Sequence, residues 1–232
     1  MKRFVKSSPA PAGWRRPAGR GFTLVELLVV IAVIALLAGL LLPALAGAKA
    51  RAQGVLCAGQ MRQLGLAVRL YADDHGDEFP RSQHSAFAHG QLTWGRALAS
   101  QLGADTSSWT NLLRTLYHCP ADRRKQGWSY GLNVYFELGP EDDYAGKPQT
   151  WRRVSSVPRP SQTVLFAENA SEADHIMPNF WTAARDAVDV ASRRHGRASN
   201  YAFVDGHVEG RTFGTIYDPA RQIDHWNPSL AQ

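Results

Sequence analysis

Gly21-Phe22-Thr23-Leu24-Val25-Glu26-Leu27-Leu28 opens the stretch whose reading decides the architecture. From Leu27 to Ala46 no charged side chain follows. At about 1.5 Å per residue, roughly 20 residues cross the roughly 30 Å of bilayer hydrocarbon. Leu, Val, Ile and Ala run all round this segment, so it has no polar face with which to line a soluble bundle. The pattern predicts a transmembrane helix over residues 22–48. Upstream, Lys2, Arg3, Lys6, Arg15, Arg16 and Arg20 form a basic leader over 1–21 without a single acid. The positive-inside tendency then sets the N-terminus in the cytoplasm and the chain beyond about residue 50 outside it. An ordinary secretory signal has a shorter apolar region with its cleavage site after it. Here the glycine comes before the apolar run.

The leader also accounts for the charge balance. The 232 residues carry 26 basic and 20 acidic side chains, a net charge of +6. Six of the basic groups lie in residues 1–21, so the remaining 20 match the 20 acids. This balance does not support a broad basic surface for nucleic acid. At 44% hydrophobic and 20% charged, the composition is that of a folded domain rather than of a disordered or fibrous chain.

The junction Gly21-Phe22-Thr23-Leu24-Val25-Glu26 resembles that of type IV prepilins and type II secretion pseudopilins. The resemblance implies cutting between Gly21 and Phe22 by a membrane-embedded prepilin peptidase, methylation of the new amine, and retention of the helix in the mature product. It further implies a single-pass protein of the bacterial inner membrane with a periplasmic body, whose partners are other pilin-like subunits and secreted cargo. Glu26 fits this reading on physical grounds. An ionised carboxylate in hydrocarbon costs about 3 kcal/mol and needs a counterion, which the Phe22 amine of a neighbouring subunit would supply. The bland alternative is a solvated helix end in the headgroup layer. Pro43 removes one helical hydrogen bond, which predicts a kink or local melting; in pilin-like helices a proline here aids assembly.

Residues 49–75 read as an amphipathic spine, with Leu56, Met61, Leu64, Val68 and Tyr71 inward and Arg51, Arg62 and Arg69 outward. Gly76 and Pro80 stop the helix. Asp73, Asp74, Asp77 and Glu78 could hold calcium, but their spacing differs from the twelve-residue calcium loop, and a solvated acidic turn also explains them. Over 76–232, Leu92–Leu102 and Trp109–Tyr117 look helical. Ser129–Glu137, Thr163–Glu168, Asn200–Val204 and His207–Phe213 look like strands, and Gly139–Pro148 and Ser155–Ser161 like loops. The expected fold is α+β and pilin-like: a long N-terminal helix packed on a small antiparallel sheet, ending in a β-hairpin over 195–213.

Asp205-Gly206 reads as the two-residue turn of that hairpin. Nine residues separate His195 from Asp205. The stretch Arg194-His195-Gly196 through Asp205-Gly206-His207-Val208 resembles the processing-associated His-x9-Asp-Gly domain that closes many pseudopilin-like proteins. Cys57, Met61 to Ala67, Cys119-Pro120, Tyr130-Gly131, Asn133 and Val164 to Glu168 extend the resemblance. Glu168, His195, Asp205 and His207 are candidate ligands for a divalent metal, since imidazole and carboxylate suit zinc and its neighbours. A hydrogen-bond network that fixes the turn would use the same residues. Cys57 and Cys119 either pair across the spine and body or stay as two buried thiols.

No Gly-x-Ser-x-Gly elbow, phosphate-binding glycine loop or His-Glu-x-x-His pair occurs. His118 beside Cys119 is a weak nucleophile and base pair, since strand neighbours face opposite ways. The seven tryptophans could form a carbohydrate or partner surface, though packing explains them more simply. The sequence therefore points to a structural subunit of a pseudopilus and not to an enzyme. A membrane-tethered binding module without a filament is the second reading, and a metal-dependent periplasmic enzyme using Glu168, His195 and His207 the third.

Overall fold

The computed structural model describes residues 21–105, 107–125, 127–137 and 151–232. The basic leader up to Arg20, with Trp14, and the loop expected over Gly139–Pro148 lie outside the described residues. Helix α1 runs from Leu24 to Asp74. The local melting expected at Pro43 does not occur, because losing one bond to the Gly39 carbonyl leaves the flanking turns intact. The chain divides into two compact units, Met1–Ala46 and Gly47–Gln232. In the first, the described part is the apolar start of α1, with almost every side chain exposed.

In the second unit, the rest of α1 supplies one wall of the main core. Cys57, Met61, Leu64, Val68 and Ala72 are buried, at helical spacings of three and four. Leu56, expected inside, is 56% exposed, and Cys57 takes that place. Met61, Leu64 and Val68 are buried as expected, so the stripe departs from the sequence reading only at its N-terminal end. Arg51, Arg62 and Arg69 are exposed as expected. After Asp74 the chain turns on Gly76 and Asp77, both left-handed at φ 65° and 69°. The Asp77 amide donates to the Ala72 carbonyl at 2.8 Å, the six-to-one bond of a Schellman-type cap.

Two short helices follow, α2 (Gln83–Ala86) and α3 (Trp94–Ala97), with a 3-10 turn at Ser100–Leu102. Of the segment 109–117, expected to be helical, residues 109–114 form a 3-10 helix. The strands are β1 (Tyr130–Asn133), β2 (Val164–Glu168), β3 (His175–Ile176), β4 (Ser199–Phe203) and β5 (Val208–Arg211). Strand β1 is shorter than expected because the Asn133 side chain accepts from the Tyr135 amide at 3.1 Å and starts a 3-10 turn. Among the described residues these strands make one sheet in the order β3-β1-β2-β4-β5. It is mixed rather than wholly antiparallel. The chain reverses after β2, so β3 runs against β2 and pairs in parallel with β1 on its far side. A small ribbon of β6 (Tyr217–Asp218) and β7 (Ile223–Asp224) follows.

Alternation along β4 gives the sheet two buried faces. Ala202 and Val204 join the α1 core, whereas Tyr201 and Phe203 join a second cluster with Val164, Ile216, Tyr217 and Trp226. Trp94 and Trp226, one in each cluster, are fully buried, which places them in packing rather than on a binding surface. The hairpin turn differs from expectation. Phe203 pairs with His207, so the loop is the three residues Val204-Asp205-Gly206, with Gly206 at φ 95°. Asp205 stays out of the left-handed region that a two-residue Asp-Gly turn needs, and Gly206 alone takes it.

Candidate functional site

At the start of α1, Gly21 and Phe22 lie outside the helix and are exposed. Thr23 and Glu26 then form a reciprocal capping box. The Glu26 carboxylate accepts from the Thr23 amide at 2.8 Å and hydroxyl at 2.7 Å, and the Glu26 amide donates to the Thr23 hydroxyl at 3.3 Å. This satisfies amides that a helix start leaves without partners. The Thr-x-x-Glu spacing that announces it was readable at Thr23-Leu24-Val25-Glu26.

The four metal candidates separate into two pairs. His195 Nε2 lies 2.6 Å from Glu168 Oε1, while His207 Nδ1 lies 2.5 Å from Asp205 Oδ1 at the hairpin turn. The first pair stands where β2 meets the start of β4, with the Asn200 amide donating to Glu168 Oε2 at 3.1 Å. Asp205 and His207 flank the far end of β4, so the strand's own length holds the pairs apart. What joins Glu168 and His195 instead is Cys57 and Cys119, which form a disulfide with Cα atoms 5.3 Å apart. Cys119 Sγ is 3.7 Å from His195 Nε2. Ligand atoms of Cys57, Cys119, Glu168 and His195 all lie within 4.8 Å of one another. Both cysteines and Glu168 are fully buried, and the His195 side chain is 12% exposed. The cysteine spacing of 62 residues gave no hint that His195 would reach the bridge, because only the fold brings the spine, the 119 segment and β2 together. His118, the sequence neighbour of Cys119, faces Ser129 instead, at 3.3 Å.

The nine-residue interval between His195 and Asp205 acquires a geometric reason. A Cβ on Gly54 would touch His195 Nδ1 at 3.4 Å, and one on Gly65 would touch the Gly206 Cα at 3.5 Å. Eleven helical residues from Gly54 to Gly65 advance about 16 Å. The four steps of β4 from Ser199 to Phe203 advance about 14 Å, and the turn that follows supplies the rest. The strand thus lies along the spine, tied at one end by His195 and at the other by the turn. The Asn200 side chain adds a bond to the Gly54 carbonyl at 3.2 Å.

Beside the disulfide, Asp122 pairs with Arg124 at 2.6 Å and with the nearly buried Arg194 at 3.0 Å. Burial alone would raise the Asp122 carboxyl. Hydrogen bonds from Arg124 and Ser129, together with the Arg194 charge, outweigh it and hold the group at about 2. Arg194 also donates to the Ser129 carbonyl at 2.8 Å and the Asn169 carbonyl at 2.6 Å, so it fixes the segment that presents His195. Of the acidic cluster after α1, Asp77 accepts from the Ser155 amide at 3.0 Å and Glu78 pairs with Arg152 at 3.0 Å. Those two tie the helix end to the body, while Asp73 and Asp74 are exposed.

Residues 16–42 match the family model described as the prokaryotic N-terminal methylation motif. The match supports a prepilin-like protein, similar to type IV pilins at its N-terminus, and such a motif implies a prepilin peptidase and other pilin subunits as partners. It points to a structural subunit, and among the described residues one N-terminal helix is long and apolar enough to fit a membrane anchor. The body beyond Leu42 lies outside the match. No curated protein and no solved structure matches the chain.

Proposed function

We propose that this chain is a pseudopilin-like subunit, cut between Gly21 and Phe22 and assembled through its N-terminal helix into a periplasmic filament of a type II secretion or type IV pilus-like system. The observation that carries the reading is the exposure of Leu27, Val30, Ile34, Leu37, Leu41 and Leu45 on an uninterrupted helix, directly after the matched junction. An apolar rod of this size in water has no stable state, so lipid or neighbouring helices must cover it. The spine supports the same conclusion. Val55, Leu66 and Leu70 are exposed at 74%, 60% and 44%, and their spacing puts them within about 60° of one another on one helix face. Helix-to-helix packing in a filament would bury them.

In this reading the leader stays cytoplasmic, the helix first crosses the inner membrane, and the body stands outside, where it meets neighbouring subunits and cargo. Glu26 neutralises the Phe22 amine of the next subunit and sets the axial register, while its bond to Thr23 keeps the carboxylate poised at the helix start. The His-x9-Asp-Gly resemblance of residues 195–206 belongs to the same reading, as the device that docks β4 on the spine. Intact mass of membrane-extracted protein tests it: loss of residues 1–21 together with one added methyl group is expected. A polypeptide that still begins at Met1, or has lost the helix, refutes it. A Gly21→Ala chain should remain uncut; a Glu26→Ala chain should be cut yet fail to enter filaments, and its normal incorporation would remove the register role.

A second reading, a tethered binding module without a filament, draws on a cleft of about 670 Å³ lined by Tyr135, Asn179, Trp181, Tyr217 and Asp224. That volume suits a small ligand. Single cysteines at exposed spine positions in a Cys57→Ala/Cys119→Ala background distinguish the two, since periodic crosslinks between chains belong only to the filament.

A further inference from the structure

The surroundings of the disulfide are not those a disulfide requires. A bridged pair is neutral and packs well among apolar groups, yet this one is faced by an imidazole and a fully buried carboxylate. Glu168 is held as metal-bound carboxylates are held: the Ser199 hydroxyl and the Asn200 amide both donate to Oε2, leaving Oε1 turned toward His195 and the sulfurs. The Ser199 hydroxyl is also within 2.7 Å of the Ala191 carbonyl, which fixes its position. Gly54 leaves room for the His195 ring against the spine. Two thiolates, one imidazole nitrogen and one carboxylate oxygen make a four-ligand set of the kind that binds zinc tetrahedrally.

We propose that Cys57, Cys119, Glu168 and His195 form a redox-convertible site that holds one zinc-class divalent cation when the disulfide is reduced and releases it when the disulfide re-forms. The geometry needs little change. Tetrahedral bonds of about 2.0–2.3 Å set ligand atoms roughly 3.3–3.8 Å apart. Cys119 Sγ and His195 Nε2 already stand at 3.7 Å, all four ligand atoms lie within 4.8 Å of one another, and the 2.6 Å hydrogen bond between His195 Nε2 and Glu168 Oε1 opens to about 3.3 Å as the cation takes its place. Breaking the S–S bond lets the sulfurs separate by side-chain rotation, from Cα atoms 5.3 Å apart. In the forward step a dithiol reductant gives two electrons and two protons to the disulfide and leaves as its own disulfide. As the cation binds, the two cysteine thiols each release a proton to solvent, and the proton between His195 Nε2 and Glu168 Oε1 passes by way of solvent to His195 Nδ1, so that the ring ligates as a neutral imidazole through Nε2. In the reverse step a disulfide oxidant takes two electrons from the thiolates and, with two protons from solvent, leaves as a dithiol; the S–S bond forms and the cation departs. Asp205 and His207, at the other end of β4, take no part. This inference does not depend on filament assembly.

The test uses the full chain in detergent, titrated with Co²⁺ without oxygen, before and after reduction by a water-soluble phosphine. The oxidised chain should bind none at this site. The reduced chain should bind one Co²⁺ per chain, with a visible tetrahedral d–d spectrum and a sulfur-to-cobalt charge-transfer band. His195→Ala and Glu168→Gln should each weaken binding at least tenfold, and Ser199→Ala about 10- to 100-fold by loosening Glu168, while His207→Ala should leave it unchanged. Absence of binding by the reduced chain overturns the proposal. So does equal binding by the His195→Ala and Glu168→Gln chains, which would mean cysteines acting alone. If reduction unfolds the body, tryptophan fluorescence decides: recovery on adding Co²⁺ supports the site, and failure to recover refutes it.

Discussion

Replacing both cysteines by alanine, Cys57→Ala/Cys119→Ala, removes a cross-link between residues 62 apart in sequence. In the chain-entropy model, freeing a loop of that length gives the unfolded ensemble about 4 kcal/mol of additional freedom at 25 °C. The closed loop contains the inner face of α1, both short helices and the 3-10 segment, and Trp94 and Trp128 lie in the core it encloses. Unfolding of the unit Gly47–Gln232 can therefore be followed by tryptophan fluorescence in urea, on full-length protein in detergent with a chelator present. With a urea slope of about 2 kcal/mol per molar, the loss should lower the midpoint by about 2 M. The slope itself should rise slightly, because an uncross-linked denatured chain exposes more surface. A midpoint shift below about 0.5 M at unchanged slope would refute the reasoning. It would mean that the denatured chain keeps the spine and the 119 segment together without the bond.

Other outcomes follow from single positions. Gly95→Ala would put a Cβ 2.3 Å from Trp128 Cη2. Displacing a packed indole should cost about 1–3 kcal/mol and alter the near-ultraviolet circular dichroism; an unchanged spectrum and midpoint would contradict the packing. Gly206→Ala forces a side chain into φ 95° at the turn that rests on Gly65, with an expected loss of about 1 kcal/mol or more in urea unfolding. Asp122 is held at about 2 against an ordinary 3.8. A lowered folded-state value means that its stabilisation is complete above about pH 4 and is lost as the pH falls toward 2. Asp122→Asn should be less stable at neutral pH, with a flatter stability profile between pH 4 and pH 2. An identical acid limb in the variant would show that this carboxyl carries no such coupling.

The site residues differ in how far one dimension could reveal them. Thr23 and Glu26 act through a spacing of three, which is local, and the capping box was there to read. The pairing of His207 with Asp205 likewise lies within one turn. The association of His195 with Cys119 and Glu168 spans 76 and 27 residues, and no local pattern encodes it. Leu56 joins the expected stripe through a spacing of five to Met61, whereas Cys57 stands at the closer helical spacing of four. Spacing along the helix gave Met61, Leu64 and Val68 correctly, but which residue closes the stripe at its N-terminal end is settled by the disulfide to Cys119. The sheet was expected to be antiparallel because hairpin signals imply neighbouring strands; β3 is too short to announce itself and pairs with β1 only after the chain has reversed beyond β2.

What the sequence determined alone is what depends on runs and short spacings: an apolar rod of membrane length behind a basic leader, a cut-site motif at its start, an amphipathic spine, and an α+β body. Solvent sorts such stretches by composition, whatever follows them in the chain. Tertiary structure alone decided that Cys57 rather than Leu56 faces the core, that the disulfide stands against His195 and Glu168, and that Asp205 and His207 stand apart from them. Those outcomes depend on distances between segments far apart in the chain. Such distances come into existence only when β4 is laid along the helix between Gly54 and Gly65.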